Sequence, residues 1–311
     1  MSGAYAHITL VKRAIDRRDD WDGIPNELWQ EYNNYYRFCE LGAVSPDYPY
    51  LVLGNLQANV WADYMHGEKA ERSLGVIRRG ARRLRNLAGE SRGKGLAWLL
   101  GYSAHVVMDT TFHPVINLKV GPYRRNKTKH RVCEMHQDTY IWQDLNLGNI
   151  GLSEYLESGI GRCSAPRSGG GLDRNLSQLW AELLEEVYHE YFPPHRPDLD
   201  QWHRSFMFVV GKIASGGQRM LPLGRHVLFK KGLIYPRLDE LDHQYIENLP
   251  TPGGGTATYR EIFDRTLENL GRMWTAIGQA VYAANDAPLG GLGEWNLGTG
   301  KNHNKAYVYW S

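Results

Sequence analysis

The chain has 311 residues, room for one large domain or two small ones. Hydrophobic residues make up 42% and charged residues 23%, ordinary globular values that exclude disorder over most of the length. A formal net charge of +2 singles out no acidic or nucleic-acid partner.

The amino terminus, MSGAYAHITLVKRAIDRRDDW, has no basic start, apolar stretch and small-residue cleavage site in sequence, so no signal peptide is read there. No apolar run approaches transmembrane length. The expectation is a cytoplasmic protein, with secretion by a dedicated system left open. PNELWQEYNNYYRFCELG predicts a helix closed by Gly42, and NLQANVWADYMHG a shorter one. In KAERSLGVIRRGARRLRNLAG, Leu74, Ile77, Ala81, Leu84 and Leu87 form one stripe opposite a basic face. That face reads as solvated, with anionic-surface binding as the alternative. GLAWLLGYSAHVVMDTTFH is apolar nearly all round, the pattern of a helix buried on most sides. Pro114 disfavours helical backbone at His113, so this helix is expected to end there. TKHRVCEMHQDTYIWQDL predicts the next helix.

Residues 159–172 read as a loop, followed by helices in LDRNLSQLWAELLEEVYHEYF and LDQWHRSFMFVVGKIAS separated by PPHRP. Residues 217–256 are turn-rich. TYREIFDRTLENLGRMWTAIGQAVYAAN is a long amphipathic helix, and residues 287–311 read as an irregular cap or short hairpin. No repeat and no extended alternating strand pattern is present. The expected fold is all-α, a single domain over 1–311, with a metal-binding core in 1–150 and covering helices and a Gly-rich tail in 151–311. The 10 Trp and 19 Tyr are expected mainly to pack between helices. Cys39, Cys133 and Cys163 match no zinc-finger spacing, and an odd count gives no disulfide framework.

Chemistry concentrates in the first half. His105, Asp109 and His113 follow one another at intervals of four residues, so they share one face of an otherwise apolar helix. An unpaired carboxylate buried there costs several kcal/mol, on the order of a broken buried ion pair, and a bound cation compensates for it. His130 and Glu134 repeat the spacing on the next helix, offering a nitrogen and an oxygen that suit zinc. His136 and Asp138 are expected on other faces of that helix, and Asp138 or Asp63 could orient a ligand imidazole. His189, His195, His203, His226, His243 and His303 have no partner at ligand spacing and are read as structural. There is no dinucleotide-binding, P-loop or nucleophile-elbow signature.

The order His7, Asp47 in SPDYPY, His66 in DYMH, His105-x3-Asp109, His113 and His130-x3-Glu134 resembles the zinc-dependent phospholipase C family. That family is related to the S1/P1 nucleases and to the N-terminal domain of glycosylphosphatidylinositol-specific phospholipase D. The resemblance covers roughly residues 3 to 138. It implies an all-α fold holding three zinc ions. One would be held by Asp47, His66, His105 and Asp109, and a second by His113, His130 and Glu134. A third would be held by His7 and Asp109, with Asp109 bridging and the mature amino-terminal residue completing it. Removal of Met1 would make that residue Ser2.

The activity implied is hydrolysis of a phosphodiester, most directly a phospholipid cut on the glycerol side of the phosphate by a metal-activated water. Asp47, on the substrate side by family analogy, is the candidate to align or deprotonate the water. Contact with a membrane surface would follow. Tyr5, Tyr48, Tyr50, Trp61, Tyr64 and Phe112 flank ligand positions and could line a head-group pocket, although packing is expected for at least half. A nuclease or nucleotide phosphodiesterase on the same scaffold is the alternative, with a nucleic-acid partner. A non-catalytic zinc-stabilised scaffold is a third reading, opposed by the open positions left at the second site.

Overall fold

The computed structural model describes residues 3–52, 54–69, 72–148, 154–165, 169–217 and 235–310. Ser2, His226 and the stretch 218–234 lie outside the described residues. The helices, in chain order, are α1 (Ala4–Arg13), α2 (Asn26–Asn34), α3 (Tyr36–Val44), α4 (Leu56–Met65), α5 (Gly75–Leu84), α6 (Gly89–Val120) and α7 (Tyr123–Trp142). They continue as α8 (Glu154–Gly159), α9 (Arg174–Val187), α10 (Leu199–Gly217), α11 (Tyr259–Tyr282) and α12 (Ala287–Gly290). Two antiparallel pairs of two-residue strands, Leu249–Pro250 with Thr256–Ala257 and Trp295–Asn296 with Lys301–Asn302, are the sheet content among the described residues. The fold is all-α.

α6 is the axis. Its residues are apolar on every side because α2, α3, α5, α7, α9 and α11 surround it. The closest approach is to α3. A Cβ on Gly42 would stand 2.1 Å from the Trp98 carbonyl, and one on Gly101 would stand 1.9 Å from the Cys39 carbonyl. Gly42 therefore does not close its helix, as its sequence position suggested. It lets two backbones touch, and α3 continues to Val44. The predicted α2–α3 helix is instead broken at Tyr35, where φ is −125°.

α6 also runs through Pro114 and does not end at His113. Proline removes the amide that would have bonded the Thr110 carbonyl. Packing compensates: Gly300 of the tail lies so close to Thr110 and Pro114 that a Cβ would meet both under 3 Å. Trp310 also donates its Nε1–H to the Thr111 carbonyl at 2.9 Å. α7 starts earlier than the sequence pattern, at Tyr123, with a non-helical Asn126 whose amide bonds the Pro122 carbonyl.

The aromatics pack between helices, as expected. Trp61, Trp98, Trp180, Trp202 and Trp274 are all fully buried. Trp98 donates its indole N–H to Ser45 Oγ and Trp274 to the Leu100 carbonyl, whereas the buried indole N–H groups of Trp142 and Trp180 have no acceptor among the described residues. Most of the basic face of α5 is paired with carboxylates, and Arg79 is left exposed to solvent. Arg78 bonds Glu294 and the Leu289, Leu292 and Gly293 carbonyls, Arg82 and Arg85 bond Asp286, and Arg83 bonds Glu182 and Glu186. The pairs to Asp286 and Glu294 strap the carboxy-terminal tail across the helices, and those of Arg83 tie α5 to α9. Cys39, Cys133 and Cys163 are free and buried. Among the described residues, no helix is long and apolar enough to cross a membrane.

Candidate metal centre

His105, Asp109 and His113 stand on one face of α6, as their spacing requires, and Asp109 is the hub. Its Oδ2 lies 3.2 Å from His105 Nε2 and 3.6 Å from His66 Nε2. Its Oδ1 lies 3.2 Å from His7 Nε2, contributed by α1, and 3.7 Å from His113 Nε2. At one end of this chain of groups Asp47, in the short helix Ser45–Leu51, meets His66 Nε2 at 3.3 Å. At the other, Glu134 of α7 comes to 4.0 Å from His113 Nε2. Two triples, His7/His105/Asp109 and Asp47/His66/His105, offer ligand atoms that all lie within 4.8 Å of one another. His130 faces the same cavity as His113 and Glu134.

Backbone carbonyls orient the rings. His66 Nδ1 lies 2.8 Å from the Ala62 carbonyl, His105 Nδ1 2.9 Å from that of Ala43, and His113 Nδ1 2.9 Å from that of Leu297. A carbonyl only accepts, so each Nδ1 carries the proton, and in the neutral ring each Nε2 turns a lone pair inward. His130 is arranged the other way. Its Nε2 faces the Gly121 carbonyl at 2.6 Å, which leaves Nδ1 as the lone-pair nitrogen.

The electrostatics suit a bound cation. Burial pushes the Glu134 carboxyl up to about 8, helped by the nearby Asp109, Asp138 and Asp47. Its Oε2 and His130 Nδ1 are buried with no hydrogen-bond partner. Burial holds His130 down at about 4, so its ring is neutral at physiological pH. The His66 and His105 Nε2 atoms face each other at 3.2 Å, an arrangement that two lone pairs do not tolerate without a cation or proton between them. Burial lowers His66, but its bond to Asp47 outweighs this and raises it to about 9. Burial would raise Asp109, yet the neighbouring His113 and His105 hold it well below the carboxylate range. Imidazole nitrogens and carboxylate oxygens in this arrangement fit zinc.

Asp138 and Asp63 orient no imidazole. Asp63 accepts from the Tyr50 hydroxyl at 2.8 Å. Asp138 is buried and accepts from the Ala6 amide at 2.8 Å, the Tyr5 amide at 3.4 Å and the Tyr235 hydroxyl at 3.0 Å. A Cβ on Gly3 would stand 2.0 Å from its carboxylate. Asp138 therefore docks the amino-terminal segment that carries His7. His136 is also buried, and its Nδ1 accepts from the Asp242 amide. His195 and His203 are structural, against Gln57 and Ser164.

A cavity of about 720 Å³ opens over the centre. Asp47, His66, Asp109, His113, His130 and Glu134 form part of its lining. Of the aromatics singled out in the sequence, Tyr50 alone lines it. Tyr5, Tyr48, Trp61 and Phe112 are core, and Tyr64 packs on Tyr188 and Tyr191. The other ring walls are Tyr123 and Tyr307, and the tail adds Asn296, Gly298, Thr299 and Lys301. The tail's part in the site had no side-chain signal, because Leu297 acts on His113 through its carbonyl.

An all-α protein with a buried imidazole–carboxylate cluster at the floor of an open cavity belongs among metal-dependent proteins of the helical class. The model of the zinc dependent phospholipase C family matches residues 6–190, and the chain belongs to that family. No curated protein and no solved structure matches it. Membership supports zinc dependence and a hydrolase.

Proposed function

We propose that the chain is a phospholipase C-like hydrolase that cuts a phospholipid on the glycerol side of its phosphate. The observation that carries this is the convergence of seven imidazole and carboxylate side chains around Asp109 at the floor of an open cavity. Asp47, His66, His105 and Asp109 would hold one zinc, and His113, His130 and Glu134 a second. His7, Asp109 and the amino-terminal Ser2 would hold a third. Zinc would supply Lewis-acid stabilisation of the phosphoryl and leaving oxygens and activation of water.

Asp47 faces the cavity. Burial would raise its carboxyl, but His105 and His66 hold it below its ordinary range, so it is ionised at neutral pH. It would align the attacking water and take its proton as the water oxygen bonds to phosphorus and the bond to the glycerol oxygen breaks, and the proton would then pass to that leaving oxygen to give the alcohol. Asp138 seats the amino-terminal segment, and the Leu297 carbonyl fixes His113. Because the tail reaches the centre, we read residues 1–311 as one domain.

Metal analysis of freshly purified protein tests the reading: about three zinc per chain, with losses in His105→Ala and His130→Ala, is expected from the ligand sets. Folded protein with essentially no metal would sink it. Hydrolysis of phosphatidylcholine, single-stranded DNA and a chromogenic phosphodiester separates lipase, nuclease and inert scaffold. Asp47→Asn should lower kcat by roughly two to four orders of magnitude with little change in KM. Intact mass showing Met1 on fully metallated, active protein removes Ser2 from the third site.

A further inference from the structure

Between Thr110 and Cys133 the chain has six Lys/Arg residues and no Asp or Glu. They are Lys119, Arg124, Arg125, Lys127, Lys129 and Arg131, gathered at the Gly121–Pro122 corner where α6 turns into α7. Arg124, Arg125, Lys127 and Lys129 are exposed. Among the described residues none of the six forms an ion pair, whereas Arg78, Arg82, Arg83 and Arg85 of α5 are each matched with a carboxylate. A chain with 36 basic and 34 acidic residues thus leaves a block of uncompensated positive charge at one corner.

That corner is also the mouth of the cavity. Arg124 and Arg125 line it, and Lys301 of the tail adds a further positive charge to the lining; Glu68 is the acidic lining residue outside the candidate metal cluster. Leu118 and Tyr123 stand on the same rim and are 49% and 39% exposed. A large apolar side chain and an amphipathic ring ringed by cations make the composition of an interfacial lipid anchor. A nucleic-acid groove would use the cations and the ring but has no use for an exposed leucine beside them.

We propose that the α6–α7 corner docks on an anionic lipid surface. Leu118 and Tyr123 enter the head-group layer while the surrounding Lys and Arg face acidic head groups, and the cavity mouth is thereby set on the bilayer. This rests on the reading of the substrate as a lipid.

Co-sedimentation of the zinc-loaded protein with vesicles tests the surface without reference to turnover. Vesicles of phosphatidylcholine containing one third phosphatidylserine should carry the protein down, pure phosphatidylcholine vesicles should not, and added salt should weaken binding. Lys127→Gln/Lys129→Gln should lower the partition coefficient roughly thirtyfold, about fivefold per cation. Leu118→Ser should lower it by about tenfold. The exposed, unpaired Arg79 and Arg174 lie toward the other end of α6, and Arg79→Gln/Arg174→Gln should change nothing. Equal binding to both vesicle types, or equal loss in the control, overturns the proposal. So does tight binding to a single-stranded DNA oligonucleotide without sedimentation. Protein that sediments selectively yet hydrolyses no lipid supports the surface and overturns the lipase reading. Protein that hydrolyses lipid but binds both vesicle types alike overturns the surface alone.

Discussion

Glu134→Gln should have opposite effects on the protein with and without metal. The carboxyl is 4% exposed, has no partner at Oε2, and titrates at about 8 instead of 4.5 because burial penalises its charge. A folded pKa above the unfolded one means that the folded state keeps its proton between those values while the unfolded state has lost it. Stability therefore falls as pH rises through that window. At about 1.4 kcal/mol per pH unit, ionisation costs the chelated fold on the order of 4 kcal/mol at pH 8 and under about 1 kcal/mol at pH 5. Glutamine cannot ionise and lacks this dependence. Urea denaturation of chelated protein should show Glu134→Gln more stable than wild type, with a gap that widens by roughly 3 kcal/mol from pH 5 to pH 8. With zinc present the order should reverse, because the neutral amide binds the cation more weakly. A chelated variant no more stable than chelated wild type at pH 8 would refute the argument, since the carboxylate would then have a counter-charge other than metal.

Gly101→Ala places a methyl group 1.9 Å from the Cys39 carbonyl, with backbone on both sides. It should destabilise by roughly 3 kcal/mol or more in urea titration, a far larger loss than alanine at an exposed helix position. Asp138→Ala leaves the Ala6 amide with the Gly3 carbonyl alone and should cost about 1–3 kcal/mol. Its metal analysis should show loss at the His7 site before loss at the His105 site. Truncation after Gly290 removes the Leu297 carbonyl that orients His113 and the Trp310 indole that bonds α6. The truncated chain should bind less zinc at the His113 site and melt earlier, and unchanged zinc content would show that the tail does not set that ring.

The shared faces of His105, Asp109 and His113 and of His130 and Glu134 were legible in the sequence because helix periodicity arranges them, while His7, Asp47 and His66 were singled out by the family resemblance alone. Residues four apart on α6 and on α7 must share a face, and a carboxylate on an apolar helix demands a counter-charge wherever the fold puts it. What was not legible depends on contacts between distant segments. Pro114 reads as a stop, and the helix passes through it because Gly300 and Trp310 cover the disturbed turn. Gly42 reads as a terminator, and its use is a backbone crossing that Gly101 completes. Aromatic residues next to ligands in sequence mostly point into the core, because neighbours on a helix face in different directions. Of the tyrosines that line the cavity, Tyr50 was singled out in the sequence, whereas Tyr123 and Tyr307 come from segments whose patterns carried no site signal.

The two ends of the chain converge on the same centre from opposite sides. The amino-terminal segment is held by Asp138 of α7, the helix that also supplies His130 and Glu134. The tail is held by Arg78 of α5 and meets His66 and His113 through the backbone of Leu297. Both fastenings are made away from the ligand atoms, so the imidazoles are aimed before any cation arrives, although the like charges they collect oppose one another without it. In this arrangement burial and neighbouring carboxylates raise Glu134, the bond to Asp47 raises His66 against its burial, and the imidazoles of His113 and His105 hold Asp109 low.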